Sequence, residues 1–149
     1  MALTPHDPNC VFCKIIDGQI PSARVLETDL AVAFLDINPV NPGHTLVVPR
    51  AHHVQLTDLP DDLAAYVGSL LPRLCRAVRE ATAAEGLNVI VNNGPVAGQR
   101  VDHCHWHIIP RFAADPFRLP WRQGKYSGDE LNQMKSRIEQ ELENETRVK

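Results

Sequence analysis

Three of the seven histidines in this 149-residue chain, His103, His105 and His107, alternate with Cys104, Trp106 and Ile108 in one short stretch. In an extended strand alternate side chains share a face, which lines up the three imidazoles at roughly 6.7 Å intervals and sends Cys104, Trp106 and Ile108 to the core. Each imidazole costs free energy to desolvate and titrates near neutral pH, so three in register point to chemistry. Three chemistries use such a row. A three-histidine metal site needs nitrogens converging at roughly 2.0 to 2.1 Å from the ion, and consecutive same-face residues of one strand diverge too far for that. Nucleophilic catalysis needs one neutral ring to attack while its neighbours donate to the developing charge. Protonated rings can instead hold an anion passively. The histidines follow a loop carrying Gly98 and Gln99, with Asn92 at the end of a neighbouring strand. Neutral donors in those positions suit a phosphate whose charge redistributes, which favours the nucleophile.

The elements that must position these residues can be read in order. A length of 149 residues, 44% of them hydrophobic and 22% charged, fits one domain with a genuine core. A net charge of −3 gives no electrostatic footprint for duplex DNA or an anionic membrane, so neither partner is expected. No apolar run approaches the ~20 residues of a membrane span, and the first ten residues lack the pattern of a signal peptide, so a cytoplasmic protein is expected. Cys10 and Cys13 then read as a metal or redox pair, not a disulfide, in a short helical or looped segment. Strands are expected at Ala23 to Glu27 and Ala31 to Asp36, joined by a hairpin at Thr28-Asp29, and at His44 to Pro49 after the turn Asn38 to Gly43. Leu63, Val67, Leu70, Leu74, Val78 and Ala81 predict a long helix over Asp58 to Ala84, bent at Pro72 and stopped by Gly86. Leu87 to Asn92 is the next strand. Ser127-Gly128-Asp129-Glu130 reads as a capping box for a C-terminal helix striped with Leu131, Met134, Ile138 and Leu142.

His103-x-His105-x-His107 followed by Ile108-Ile109 resembles the motif that names the histidine-triad (HIT) family of nucleotide hydrolases and transferases. Further blocks are similar to the family's pattern and fall in the same order: Phe12 to Ile16 with Ile20-Pro21, Ala33 to Ile37, Pro42 to Pro49, and Ala97-Gly98-Gln99. The resemblance covers roughly Cys10 to Arg111. It implies an α+β fold, with a five-stranded antiparallel sheet, a long helix and a C-terminal helix, paired as a homodimer that extends the sheet. One domain over 1–149 is expected, with its core at about 10–111 and an extension at 112–149.

The same resemblance implies roles for particular residues. His105 would attack the α-phosphorus of a purine nucleotide carrying a good leaving group, giving a nucleotidyl-histidine that water hydrolyses. His107 and His44 would contact the phosphate, and Asn92 and Gln99 would hydrogen-bond it or the bridging atom. Asp36 would hold the ribose hydroxyls, with Phe12, Phe34 and Ile37 forming the slot for the base. Arg100 departs from the small residue that many members carry after Gly-Gln, and could reach a longer anionic leaving group such as a polyphosphate. Some members bind structural zinc through residues matching Cys10, Cys13, His52 and His103, with His53 as a substitute for His52. Three readings remain open at this point: a phosphoramidase-like hydrolase, a dinucleoside polyphosphate hydrolase, and a non-catalytic nucleotide sensor. A catalytic zinc held by the triad is a further rival. Pro116 to Trp121 could influence the leaving group or be an ordinary turn.

Overall fold

The computed structural model describes residues 5–118 and 125–148, in two compact units, Met1–Pro116 and Phe117–Lys149. In the first, α1 spans Val11–Ile16, β1 Arg24–Glu27, β2 Ala31–Leu35 and β3 Thr45–Pro49, followed by α2 at Asp61–Thr82, β4 at Gly86–Val91 and β5 at Trp106–Arg111. The five strands form one antiparallel sheet in the order β1-β2-β3-β5-β4. In the second unit α3 runs Glu130–Val148, and its first turn is closed by Ser127, whose N–H donates to the Glu130 carboxylate at 2.6 Å. Leu119 to Trp121, part of the segment weighed for leaving-group choice, lies outside the described residues.

Both faces of the sheet's centre are covered. On β2 and β3, Ala31, Ala33 and Val47 pack with Val67, Leu74 and Val78 of α2, joined by Trp106 and Ile108 of β5. The intervening Val32, Phe34, Leu46 and Val48 face the other way, onto Phe12, Cys13 and Ile15 of α1. Period-two alternation therefore separates two apolar clusters, and a strand buried on both sides reads as an unbroken hydrophobic run.

Beyond one-residue shifts at the ends of β1 to β4, four features differ from the sequence reading, each for a local reason. The triad does not sit wholly within a strand: β5 opens at Trp106, because the Cys104 N–H donates to the His53 carbonyl at 2.6 Å and takes that backbone off the ladder. The long helix starts at Asp61, not Asp58, since Leu59 precedes a proline and is extended (ψ 140°). Asp58 instead closes a short 3₁₀ turn, Leu56–Asp58. Gly86 does not stop the helix: Ala83 does so in the left-handed region (φ 54°), and Gly86 opens β4. The loop between β1 and β2 is Thr28 to Leu30, where Thr28 Oγ1 accepts the Ala31 N–H at 3.0 Å. The helix continues through Pro72, which lies on its exposed face.

Candidate active site

His105 is 6% exposed and sits just before β5. Its Nδ1 lies 2.7 Å from the carbonyl oxygen of His103. A carbonyl only accepts, so Nδ1 carries the proton and the lone pair is on Nε2. That nitrogen makes no hydrogen bond among the described residues. Ser22 Oγ is the one fully buried side-chain oxygen or nitrogen there without a partner, so Nε2 of His105 reaches the surface. Burial holds the ring's pKa below the ordinary histidine value and keeps it neutral. The ring packs edge-on against Phe12, centroids 5.0 Å apart, and lies 4.7 Å from the ring of His107.

His107 points from β5 to the same side as α1, opposite Leu46 of β3. Its Nδ1 is 2.9 Å from Nε2 of His44, the residue just before β3. The Val40 N–H donates to the other nitrogen of His44, Nδ1, at 3.1 Å. A nitrogen that accepts carries no proton, so the His44 ring is neutral with its proton on Nε2, and it donates to His107. His107 is thereby left with its own proton on Nε2, pointing away from the pair. Burial, reinforced by His105 and His44, pushes the pKa of His107 down to about 4, and burial lowers that of His44. Two neutral rings in a fixed donor order result.

Asp36 stands beside this pair, one carboxylate oxygen 3.8 Å from His44 Nε2 and the other accepting the Asn38 N–H at 2.8 Å. Potential ligand atoms of Asp36, His44 and His107 lie within 4.8 Å of one another. An ion there would need the Nε2 lone pair of His44, which the Val40 N–H denies by keeping the proton on that atom. His44 and His107 are a hydrogen-bonded pair, with the Asp36 carboxylate beside it.

Beyond β4, Gln99 is 6% exposed, and both ends of its amide are taken by backbone. Its Nε2 donates to the carbonyls of Val54 at 2.6 Å and Val101 at 3.0 Å, and its Oε1 accepts the Gly94 N–H at 2.8 Å. In this structure the side chain braces the loop that precedes the triad. Half-buried Asn92 lies at the mouth of that loop, its Nδ2 3.6 Å from the position a Cβ on Gly98 would take. That contact would admit a side chain, but Gly98 has φ +93°, where one would be strained. Arg100 is exposed and makes no hydrogen bond or ion pair among the described residues. Of the expected base slot, Phe12 and Phe34 are buried together edge to face, centroids 5.6 Å apart, whereas Ile37 is 89% exposed.

Behind the triad lies a second cluster. Potential ligand atoms of Cys10, Cys13, His52 and His103 all fall within 4.8 Å of one another. Nδ1 of His103 is 3.4 Å from Cys10 Sγ and 3.7 Å from Cys13 Sγ, and Nδ1 of His52 is 3.5 Å from Cys13 Sγ. His103 Nε2 donates to the Pro49 carbonyl at 2.8 Å, which leaves its Nδ1 lone pair facing the sulfurs. Burial pushes the Cys13 thiol up to about 11 and His103 down to about 4. The group can hold a metal ion. His52 belongs to it and His53 does not.

A model of the HIT domain matches residues 17–114. The chain belongs to the HIT family. The crystal structure of SMU.412c from Streptococcus mutans UA159 shares its fold, with a TM-score of 0.89 at 39% identity over 94% of this chain and 89% of that one. Adenosine 5'-monophosphoramidase HNT1 of Candida albicans is 34% identical over 139 residues, 90% of this chain and 91% of its own length. A zinc-bound histidine triad family protein from Mycobacterium smegmatis matches with a TM-score of 0.69 and 39% identity, covering 79% of this chain and 84% of that one. The HIT fold and the triad read from the sequence are thus both present.

Two contributors carried no sequence signal. The Val40 N–H sets the proton order of the His44–His107 pair, and the Pro49 carbonyl turns His103 towards the sulfurs. Both are backbone groups, which every residue supplies, so only geometry could single them out.

Proposed function

We propose that this HIT protein hydrolyses purine nucleotidyl conjugates, nucleoside phosphoramidates foremost, through a covalent nucleotidyl-histidine at His105. The observation that carries the reading is the His105 ring: Nδ1–H is tied to the His103 carbonyl, while Nε2 is unprotonated, unbonded and open. Nε2 attacks the α-phosphorus, a P–N bond forms to the ring, and the bond to the leaving group breaks as that group takes a proton from solvent water. Water then attacks phosphorus, the P–N bond to His105 breaks, and a nucleoside monophosphate leaves. Neither step needs more of the protein than an aligned attacker and donors for the equatorial oxygens. His107 offers its Nε2–H to one such oxygen, with His44 fixing its tautomer, and Asn92 offers its amide to another. Gln99 keeps the adjoining loop in shape. Asp36 takes the ribose hydroxyls, and Phe12, Phe34 and Ile37 the base. The phosphoramidase relative supports this class of substrate.

Cys10, Cys13, His52 and His103 would hold a zinc ion in this reading. Zinc with about 2.3 Å to sulfur and about 2.0 to 2.1 Å to nitrogen sets ligand-to-ligand edges of about 3.4 to 3.8 Å. The three S···N distances, 3.4, 3.5 and 3.7 Å, fit that frame. A closed Cys2His2 shell leaves no site for water, so the ion would supply positive charge for two thiolates and a cross-link, not reactivity. The zinc-bound relative supports the assignment. The chain would work as a homodimer in the cytoplasm; no described helix is long and apolar enough to cross a membrane.

Exposed, unpaired Arg100 favours a second reading, in which the leaving group is a polyphosphate of a dinucleoside. Adenosine phosphoramidate, adenylated lysine and a dinucleoside tetraphosphate, assayed side by side, separate the two. In the same assay His105→Ala should lose about a thousandfold or more in kcat while still binding adenosine monophosphate. Turnover by the variant at the parent rate would rule out the covalent route. Immediate and complete loss of activity on chelation would favour a catalytic metal instead.

A further inference from the structure

The loop from Asp36 to His44 delivers two active-site side chains and the Val40 N–H, yet it contains two prolines, which donate no backbone hydrogen bonds. Its base is closed by the Asp36 N–H donating to the His44 carbonyl at 2.9 Å, and its far end is held by Asn41, which is 8% exposed. Its Nδ2 donates to the Pro110 carbonyl at 2.8 Å and to Asp115 Oδ2 at 3.0 Å, so both amide protons are used. Pro110 lies on β5 three residues beyond His107. Asp115 is in turn gripped by Arg111 of the same strand at 2.8 and 3.0 Å, and accepts the Phe112 N–H at 2.9 Å. The Asn41 carbonyl also accepts the His44 N–H at 3.0 Å, closing a turn through Pro42 and Gly43. The loop bearing His44 is therefore tied by one side chain to the strand bearing His107.

We propose that Asn41 is a positioning residue that sets the proton order of the His44–His107 pair. The proposal rests on the reading above, in which the His107 Nε2–H serves the phosphate. Val40 is the immediate neighbour of Asn41, and its N–H reaches His44 Nδ1 only while the loop stays against β5. Without the tie, Nδ1 of His44 loses its donor and either nitrogen can carry the proton. When Nδ1 is protonated, Nε2 of His44 can only accept, which moves the His107 proton to Nδ1 and removes its donor from the substrate. Asn41 touches neither substrate nor reacting atoms in this scheme.

The test is nitrogen NMR of the metal-loaded protein carrying 15N-histidine, alongside steady-state kinetics with adenosine phosphoramidate. The parent should show His44 and His107 each protonated at Nε2 alone. Asn41→Ala should show mixed tautomers for both rings and a fall of about tenfold in kcat with KM within about twofold. Asn41→Asp, equal in size but unable to donate, is the second variant should alanine unfold the chain, and should show the same mixing. Unchanged imidazole signals in folded variants would overturn the proposal, whether or not kcat falls, because a merely structural tie leaves tautomers alone. A parent protein with the expected tautomers and no turnover would instead refute the hydrolase reading while leaving the role of Asn41 in tautomer order testable from the spectra.

Discussion

At the scale of single residues, the site works by removing choices. An imidazole has two nitrogens and one proton, and in each of the rings at the reaction centre a backbone group decides where that proton lies. The His103 carbonyl decides for His105, and the Val40 N–H decides for His44 and, through it, for His107. Gly43 shows how tightly the decision is built in. It sits at φ +98°, and a Cβ there would collide with Thr82 Cγ2 at the end of α2. Gly43→Ala should therefore cost about 2 kcal/mol from backbone strain and crowding, and shift His44 away from His107. Chemical denaturation and kcat measured together check this; a variant as stable and active as the parent would show that the turn adapts freely.

At the scale of elements, what could be read from the chain was what side-chain periodicity and chemistry encode. The apolar runs of β2 and β3, the apolar stripe of α2, the Pro42-Gly43 turn and the histidine row all follow local rules of composition and spacing. Illegible features were those set by tertiary contacts. No local rule says that Cys104 should bond to His53 and delay the start of the strand, that Ala83 should take the left-handed cap three residues before a glycine, or that Gln99 should spend its amide on Val54, Val101 and Gly94. The cysteine pair was legible as half a metal site; its partners came from the resemblance, and the geometry chose His52 over His53. If that cluster holds zinc, α1 is pinned to the sheet by it. Freshly purified protein should then contain about one zinc per chain by elemental analysis. Cys13→Ser should lose the metal and about 10 °C in Tm. Metal-free parent protein with an unchanged melting temperature would refute the pin.

At the scale of the whole molecule, a cluster of buried neutral histidines ties stability to pH. Burial lowers the pKa of His44 and takes that of His107 to about 4, against about 6.5 in an unfolded chain. As pH falls below about 6.5 the unfolded chain takes up protons that the folded one refuses, so stability declines until pH nears the folded value, and is unaffected above neutrality. Urea midpoints should be flat from pH 7 to 8 and fall steadily from 6.5 to 4.5, less steeply in His107→Asn. Equal slopes in the two proteins would show that His107 is not part of the effect. The most direct measurement, however, concerns the bond on which catalysis depends. Protein mixed with adenosine phosphoramidate should be freeze- or alkali-quenched within the first turnover, digested under mildly alkaline conditions and mapped by mass spectrometry. The account predicts an adenylyl group on the peptide containing His105, appearing before steady state and chasing to adenosine monophosphate. Substrate consumed at full rate with that peptide unmodified at every time point would contradict it.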